Sequence, residues 1–367
     1  MKILFVARRF PPSVGGQQDV AYNFSAALSK VSNLSLLKYG GSQKLPLLSL
    51  TNFLLTSSFK SILKKVDIIH FDDSLMAPIA WAVNKLGTPT SITAHGLDIT
   101  YNNGIYQYFT PRFLKRLPLV LPISPATKEE CIKRGISTKN LTILRKGVRD
   151  KVKNIDRLSC SNSKDGFMNS LGINDPNPIL LTTTGRLVKR KGVNWFINNV
   201  MPRLTKIRQN IHYLVIGEGP MKSDILSSIS AHRLENNVHF MGYLSDQDMN
   251  EALLMTDIFI VPNIPVPGDM EGFGIANLEA ATYRLPVIAA NIEGIPFALH
   301  NNKNGILVDS MNSEQFMSKI LTLCNNKDAR KFLGESARKY TLDKFGWDNI
   351  ANDYLDIIAS KFNLPRN

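Results

Sequence analysis

The sequence predicts an α/β fold made of two successive domains, each built around a doubly wound parallel β-sheet. Short apolar runs alternate with helical patterns in both halves of the 367-residue chain. The runs are almost continuously apolar, which is typical of strands covered by helices on both faces. A polar stretch at 147–177 interrupts this alternation. We interpret it as the interdomain linker, with a helix at its centre.

Each half supplies enough strands for its own sheet. The first half has predicted strands at 2–7, 34–39, 67–72, 89–95, 119–124 and 141–146, and helices at 19–30, 75–87 and 126–135. The second half has predicted strands at 178–185, 211–217, 237–242, 257–263, 285–291 and 305–309. Helices separate these strands, among them one at 195–204, and an amphipathic helix at 348–362 closes the chain. Because ligands of such sheets bind beyond the carboxyl ends of the strands, we expect a cleft there.

Composition excludes several classes of protein. The chain is 44% hydrophobic and 20% charged, as in ordinary globular proteins, and has no apolar run long enough for a membrane-spanning helix. The apolar run before Arg8 is too short for a secretory signal, so we expect a cytoplasmic protein. Its three cysteines are odd in number and widely spaced, which argues against both a disulfide framework and a zinc site.

Positive charge is concentrated in the first domain. Residues 1–150 contain 20 lysines and arginines against 8 acidic residues, whereas the rest of the chain is almost balanced within a total of +14. Such a field attracts polyanions, either nucleic acid or an acidic lipid surface. Ordinary solubilising charge is an equally good explanation. Nucleic acid is the weaker candidate partner, because the chain has no aromatic RNA-binding strip, zinc finger or arginine-rich arm.

The segment Glu271-Gly-Phe-Gly-Ile-Ala-Asn-Leu-Glu279 is the most specific chemical signal. A helix that begins near Gly274 would present backbone N–H groups and a positive dipole end to a phosphate. Glu279, about one and a half turns into that helix, could accept two hydroxyl hydrogen bonds, as a ribose diol would offer. Glu271 could reach another part of the same ligand. The alternative is an ordinary glycine turn flanked by two glutamates.

Two further loops follow predicted strands. Gly185-Arg186-Leu-Val-Lys189-Arg190-Lys191-Gly192 combines forked and point cations and suits a diphosphate, although a solvated charge run is the usual alternative. Pro11-Pro12-Ser13-Val14-Gly15-Gly16 has paired glycines that let the backbone approach a ligand, although it is not the dinucleotide-binding fingerprint. A plain connecting turn is the alternative for this second loop.

His95 lies at the end of a predicted strand, in Thr93-Ala94-His95-Gly96. A lone histidine is more often structural, but at a carboxyl end it is a candidate sugar or phosphate contact; His70 is a weaker analogue. Asp246-Gln-Asp248 resembles a metal-binding D-x-D pair. It follows Ser245 at a predicted helix start, so we interpret it as helix capping and expect no metal site.

Taken together, these motifs resemble the family-4 retaining glycosyltransferases, which have the GT-B architecture of two Rossmann-like domains facing across a cleft. The resemblance covers nearly the whole chain. Its motifs are P-P-S-V-G-G, T-A-H-G, G-R-L-V-K-R-K-G, G-E-G-P (217–220), V-H-F-M-G-Y (238–243) and E-G-F-G-I-A-N-L-E followed by P-V-I-A.

The resemblance implies metal-independent transfer of a hexose-type sugar from a UDP- or GDP-sugar, with retention and without a cofactor. By this similarity residues 1–150 with the last helix (346–367) would bind the acceptor, and residues 151–345 would bind the donor. His95, Arg186, Lys191 and Glu271 would be catalytic. Donor contacts would come from Gly15, Gly16, Arg186, Lys191, Gly217, Met241, Phe273, Gly274, Ile275 and Glu279. The oligomeric state is not indicated.

The chain departs from the family pattern at three places. Lys146-Gly-Val-Arg149 stands where Asn-Gly-Val-Asp is common, Arg284 where glycine is common, and Phe297 where glutamate is usual. None of these departures removes a proposed phosphate or ribose contact. They bear instead on hinge geometry and on donor selection.

The resemblance and the charge together predict an enzyme of surface polysaccharide or glycolipid assembly, peripheral at the inner face of the cell membrane, with a saccharide or lipid-linked acceptor. Two segments could touch lipid. We favour packing on its own sheet for 52–65, whereas 106–118, with four aromatic residues and three cations, is the better membrane candidate. A nucleotide-sugar 2-epimerase of the same architecture and a basic nucleic-acid-binding module are the alternative functions.

Overall fold

The structure is a computed structural model that describes residues 1–12, 15–38, 65–152 and 161–366. It divides into two compact units. Unit 1 comprises residues 1–147 and 345–367, and unit 2 comprises residues 148–344. The predicted helical segment at 52–65 lies outside the described residues except for Lys65.

Unit 1 is built on a five-stranded parallel sheet in the order β2-β1-β3-β4-β5. Its strands are β1 (Lys2–Ala7), β2 (Asn33–Lys38), β3 (Ile68–Phe71), β4 (Thr90–Ala94) and β5 (Leu119–Pro122). After β2 the chain moves to the other side of β1, so the β1–β3 neighbours form a topological switch point. Ligands of open parallel sheets bind at such a point.

Helices cover the unit 1 sheet. They are α1 (Gly16–Val31), α2 (Ala77–Lys85), α3 (Leu97–Thr100), α4 (Gly104–Leu114), α5 (Pro125–Lys133) and α15 (Trp347–Phe362). The last of these, α15, packs on α1, where the Phe24 ring lies 5.9 Å from Trp347 and 5.5 Å from Tyr354. Gly147 has no room for a side chain, because an added Cβ would lie 2.3 Å from the Trp347 indole.

The predicted strand at 141–146 is wrong. Leu141 forms an isolated bridge with Val120, and no strand is formed at 141–146. The chain still runs beside β5, since the Leu144 N–H donates to the Pro122 carbonyl oxygen at 3.0 Å, and Arg145 then forms an ion pair with Asp353 of α15 at 2.7 Å. The local apolar pattern could not anticipate that a helix from the other end of the chain would take up this segment.

Unit 2 has a six-stranded parallel sheet in the order β11-β10-β9-β6-β7-β8. Its strands are β6 (Ile179–Thr184), β7 (Ile211–Ile216), β8 (Val238–Gly242), β9 (Ile258–Val261), β10 (Val287–Asn291) and β11 (Ile306–Asp309). Counted from β6, this is the strand order of the Rossmann fold. Both predicted parallel-sheet domains are therefore confirmed.

Helices also flank the unit 2 sheet. They are α6 (Ser161–Ser170), α7 (Val193–Asn199), α8 (Met201–Ile207), α9 (Lys222–Ala231), α10 (Asp246–Met255), α11 (Ile275–Thr282), α12 (Ile295–Ala298), α13 (Ser313–Cys324) and α14 (Lys327–Phe345). The apolar run 195–204 reads as one helix but divides at Val200, two residues before Pro202. Proline lacks the N–H that a continuous helix would need there.

The core of unit 2 lies between its sheet and these helices. Its largest members include the fully buried Phe196, Tyr213 and Phe316, and the Phe196 ring contacts the rings of both others. Among the described residues, no helix is both long enough and apolar enough to cross a membrane.

Candidate functional site

The candidate site of unit 2 lies where two loops leave adjacent strands. β6 and β9 are neighbours at the switch point of the sheet, and the loops 185–192 and 262–274 follow their carboxyl ends. The loops approach so closely that a Cβ on Gly192 would lie 1.9 Å from the Pro262 carbonyl oxygen. The Ile264 N–H also donates to the Arg190 carbonyl at 2.9 Å. A glycine at 192, with φ +66°, permits this approach.

This approach joins the cationic loop to the glutamate of the glycine-rich segment. Lys191 Nζ lies 2.6 Å from Glu271 Oε2, and both side chains are largely buried. Asn263 Nδ2 donates to the same oxygen at 3.3 Å, and the Gly274 N–H donates to Oε1 at 3.3 Å. The structure therefore brings together three predicted site residues, Lys191, Glu271 and Gly274.

The surroundings of Glu271 keep it ionised. Burial opposes the charge, but Lys191 and Arg190, with hydrogen bonds from Lys191 and Asn263, outweigh it and lower the pKa of Glu271 to about 2. A carboxylate in this state accepts hydrogen bonds and cannot serve as a proton donor near neutral pH. Lys191 has three N–H donors, so its pairing with Glu271 leaves donors for another anion.

The helix predicted to begin near Gly274 is confirmed as α11, whose N-cap is Gly274 with φ +80°. Its first residue is Ile275, and Glu279 lies one turn further along, half-buried, with Oε1 3.8 Å from Lys151 Nζ. The helix start adjoins Glu271, so N–H groups and the positive end of the helix dipole lie beside the Lys191–Glu271 pair.

Other predicted residues of unit 2 have different surroundings. Arg186 is exposed at the start of the cationic loop. Gly217, with φ +136°, lies where an added Cβ would meet the Gly185 carbonyl oxygen at 1.9 Å, so it has a packing role. The Met241 side chain packs against a core cluster, and the buried Phe273 ring packs edge-on against Phe297. The ligand roles of these residues stay predictions.

Sequence reasoning missed two residues that surround Glu271, Asn263 and Glu293, and the contacts of a third, Arg190. Asn263 ends a predicted strand and gives no local signal of its role. Arg190 belongs to the cationic loop and pairs with Asp269 at 3.2 Å. Glu293 accepts the backbone N–H of Glu271 while adopting a left-handed φ of 53°. Only the three-dimensional approach of separate loops reveals these contacts.

In unit 1, His95 is confirmed at the carboxyl end of β4, where it is buried. Its Nε2 lies 2.6 Å from the Asp72 carbonyl oxygen, so Nε2 carries the hydrogen and donates it. Burial, then repulsion from Lys146, lowers the pKa of His95 well below its usual value. The imidazole is therefore neutral, and its buried Nδ1 has no hydrogen-bond partner among the described residues. That nitrogen can accept a hydroxyl hydrogen.

The His95 loop is held by Asp98, which accepts the His95 backbone N–H at 2.7 Å and the Ser74 N–H at 3.2 Å. Burial, then repulsion from Asp73, raises the pKa of Asp98 to about 6. Asp73 itself pairs with Arg8, which follows β1. This pair connects the two loops at the switch point of the unit 1 sheet.

His70 is structural. It is fully buried, with its ring nitrogens 3.0 Å from Ser91 Oγ and 3.2 Å from Thr93 Oγ1. Gly15 and Gly16 form the start of α1, and an added Cβ on Gly16 would meet nothing within 4 Å. That open space is compatible with the predicted ligand contact.

The D-x-D segment has the structural role that the sequence indicates. Ser245 caps α10 and accepts the Asp248 N–H at 3.2 Å, and Ser245 Oγ donates to Asp248 Oδ2 at 2.7 Å. Among the described residues, no group of three or more histidine, cysteine, aspartate or glutamate side chains is arranged to hold a metal ion. The metal independence of the reaction stays a prediction.

Comparison with known families agrees with these motifs. The model "Glycosyl transferases group 1" matches residues 163–340, and "Glycosyltransferase Family 4" matches residues 37–151. Together they span about 80% of the chain. The chain belongs to the group 1, family-4-type glycosyltransferases.

Individual relatives have low sequence identity to this chain and match only part of it. A Corynebacterium glutamicum GDP-mannose-dependent monoacylated alpha-(1-6)-phosphatidylinositol monomannoside mannosyltransferase is 28% identical over 200 residues, 54% of this chain and 51% of the relative. The amylovoran biosynthesis glycosyltransferase AmsK of Erwinia amylovora is 24% identical over 233 residues, 62% of this chain and 53% of the relative. The matched regions thus span about half the length of these curated relatives.

A solved structure shares the fold. The crystal structure of Anabaena HepE in complex with UDP is similar to this chain with a TM-score of 0.76 and 17% identity, over 98% of this chain and 100% of HepE. This likeness confirms the predicted GT-B fold class.

Proposed function

We propose that the protein transfers a hexose-type sugar from a nucleotide diphosphate sugar to an acceptor, with retention of configuration and without a metal ion. The observation that carries the proposal is the Lys191–Glu271 pair beside the N-terminus of α11, at the switch point of a Rossmann-ordered sheet. This arrangement offers cations and helix N–H groups to a diphosphate and an ionised carboxylate to sugar hydroxyls.

Each group has a proposed task in unit 2. Arg186 and Lys191 neutralise the diphosphate, together with N–H groups at the start of α11. Glu271 accepts hydrogen bonds from sugar hydroxyls, and its pKa of about 2 supports this role over that of an acid. Glu279 accepts the ribose hydroxyls. The names of relatives support both bases, since HepE was crystallised with UDP and the Corynebacterium relative is called GDP-mannose-dependent.

The proposed chemical step is a front-face substitution. The bond between the anomeric carbon and the leaving phosphate oxygen breaks, and its electron pair stays on the phosphate. The acceptor oxygen bonds to the same face of that carbon, and its proton passes to the leaving phosphate. Cations and helix N–H groups stabilise the charge that develops on that phosphate, which lowers the barrier.

Unit 1 is proposed to receive the acceptor and to contribute His95. The neutral imidazole, with Nε2–H fixed on the Asp72 carbonyl, presents Nδ1 as an acceptor for a sugar hydroxyl. The acceptor is proposed to be a saccharide or lipid-linked saccharide at an anionic membrane surface. The name of the Erwinia relative supports a place in surface polysaccharide synthesis.

Melting shifts measured with UDP, GDP, ADP and their sugars, each in the presence and absence of EDTA, test donor binding. A diphosphate should raise Tm, and EDTA should leave the increase unchanged. Lys191→Ala should abolish the increase, whereas Lys222→Ala, which removes an exposed lysine paired with Glu218, should preserve it. The absence of any shift with every nucleotide would contradict the proposal.

Product analysis by NMR tests the reaction itself. Incubation with the donor that gives the largest melting shift and a panel of saccharide acceptors should yield a glycoside with the donor's anomeric configuration. Inverted product, or a covalent sugar trapped on Glu271, would exclude the proposed step. Release of a C2-inverted sugar without glycoside would identify a nucleotide-sugar 2-epimerase instead.

A further inference from the structure

Helix α4 exposes large apolar side chains on one face. Ile105, Tyr108 and Phe109 are 75%, 57% and 51% exposed, and Arg112 continues the same face one turn later. The spacing i, i+3, i+4 and i+7 places these four residues along a single stripe. We call this stripe the α4 face.

The opposite side of α4 is firmly attached to unit 1. Thr110, Pro111 and Leu114 are buried, and the Tyr106 hydroxyl donates to the Asp98 carbonyl. Gln107 Nε2 donates to the carbonyl oxygens of Ile99 and Tyr101, each at 2.8 Å. The helix is therefore fixed in orientation by its inner side, and its apolar outer residues do not contribute to the core.

Positive charge accompanies the α4 face. The Arg112 guanidinium lies 3.3 Å from the centre of the Tyr108 ring, which keeps a cation on the apolar surface. Lys115 and Arg116, directly after the last residue of α4, are also exposed. The sequence has no acidic residue from 99 to 128. Aromatic rings interleaved with cations, in a segment of sequence without acidic residues, complement an anionic lipid surface.

We infer that the α4 face docks unit 1 on an anionic bilayer, with Ile105, Tyr108 and Phe109 entering the headgroup region and Arg112, Lys115 and Arg116 contacting lipid phosphates. This inference rests on the proposed function, in which unit 1 binds a lipid-linked acceptor, and it identifies the surface of unit 1 that contacts the membrane. It assigns membrane contact to one short helix.

The position of α4 in unit 1 suits this role. The helix begins ten residues after β4, at the carboxyl edge of the sheet, and the Tyr106 hydroxyl bonds the Asp98 whose carboxylate holds the His95 backbone. Contact with lipid at the start of α4 therefore brings the bilayer to the edge that carries His95. A lipid-linked acceptor would need to reach only from the headgroup layer to that edge.

Co-sedimentation of the full chain with sucrose-loaded vesicles tests the inference. One set contains phosphatidylcholine alone and the other equal parts of phosphatidylcholine and phosphatidylglycerol. The protein should prefer the anionic vesicles, and Ile105→Ser/Phe109→Ser should weaken this binding about tenfold or more. Phe332→Ser, which removes a more exposed phenylalanine from α14 in unit 2, should leave it unchanged.

A tryptophan probe separates insertion from electrostatic adhesion. Phe109→Trp should shift its fluorescence to the blue and be quenched by brominated lipid, whereas Phe332→Trp should show neither change. Arg112→Gln/Lys115→Gln/Arg116→Gln should lose the preference for anionic vesicles while its apolar residues remain.

Donor binding is measured in parallel so that the two proposals fail separately. The melting shift with nucleotide should be the same in Ile105→Ser/Phe109→Ser as in the wild type, which also shows that the variant is folded. The inference would be overturned if the wild-type protein showed no preference for anionic vesicles, or if Ile105→Ser/Phe109→Ser bound them as strongly as the wild type. So would light scattering that shows a dimer abolished by the double variant, because the face would then join two copies.

Discussion

The carboxyl edges of the two sheets differ in the ionisation of the titratable side chains that lie there. In unit 2, Glu271 is largely buried but paired with Lys191, and its pKa falls to about 2. In unit 1, His95 is buried and neutral, and the pKa of Asp98 rises to about 6 because burial dominates. The same kind of sheet edge therefore holds a strongly acidic carboxyl group in one unit, and in the other a neutral imidazole beside a carboxyl group that ionises less readily.

The two edges differ in ionisation because their buried side chains have different partners. The unit 2 loops approach closely enough for a lysine of one loop to meet a glutamate of the other, which offsets the cost of desolvation. His95 in unit 1 instead uses a backbone carbonyl, and a neutral imidazole suits that partner. The first arrangement is suited to a charged ligand, and the second to hydroxyl groups.

Lys191→Ala should have the largest effect on this contrast. It would leave the Glu271 carboxylate buried without its main partner, at a cost of about 3 kcal/mol in the unfolding free energy of unit 2. The corresponding fall in Tm is roughly 6–12 °C, measured by calorimetry without ligand. Lys191→Met combined with Glu271→Gln should recover most of the loss. A single variant as stable as the wild type would show that the pair is not the charge compensation inferred here.

Substitution of the turn glycines should have the next largest effect. Gly192→Ala must place a Cβ against the Pro262 carbonyl in a left-handed conformation, and should cost about 2 kcal/mol by urea denaturation. Gly16→Ala has open space at a helix start and should change stability by less than about 1 kcal/mol. If Gly16 approaches a diphosphate, its alanine variant should still reduce the nucleotide melting shift. Equal losses of stability in Gly192→Ala and Gly16→Ala would contradict the close contact at Gly192 and the open space at Gly16.

The pH dependence of stability should show the smallest effect. His95 is neutral in the folded chain, but an unfolded histidine takes up a proton below about pH 6.5. Its contribution to stability is therefore complete above that pH and is lost as the pH falls. Between pH 7.5 and 5.5, His95→Asn should lose about 1.4 kcal/mol less than the wild type in urea denaturation.

Glu271 supplies the contrasting titration. Its folded pKa lies below the unfolded value, so its contribution is present above about pH 4.5 and is lost as the pH falls towards 2. Glu271→Gln should consequently leave the change between pH 7.5 and 5.5 as in the wild type. A parallel loss of pH dependence in both variants would remove the distinction between the two edges.

The fold was largely predictable from local pattern, because strands buried on both faces must be apolar and their loops polar. Eleven of the twelve predicted strands are present among the described residues, and the twelfth, 141–146, forms only an isolated bridge at Leu141 before Arg145 pairs with α15. The division of 195–204 at Val200 was also missed, although Pro202 marks it.

The candidate site was predictable only in part. The residue types of Lys191, Glu271 and Gly274 pointed to a phosphate and sugar site, and the structure joins them. Asn263 and Glu293 carry no local signal, because their role arises from which loops the strand order makes adjacent. The positive φ of Arg284, at 58°, likewise explains why glycine is usual at that position of the family.

The sequence by itself determined the two-sheet α/β architecture, the loops that carry chemistry and the excess of positive charge in the first half. These features are encoded in periodicity, in glycine placement and in residue type, which are local properties. Only the tertiary structure decided which groups are ionised and which face of α4 is exposed. Protonation and exposure depend on neighbours from distant parts of the chain, and the packing of the strands and helices selects those neighbours.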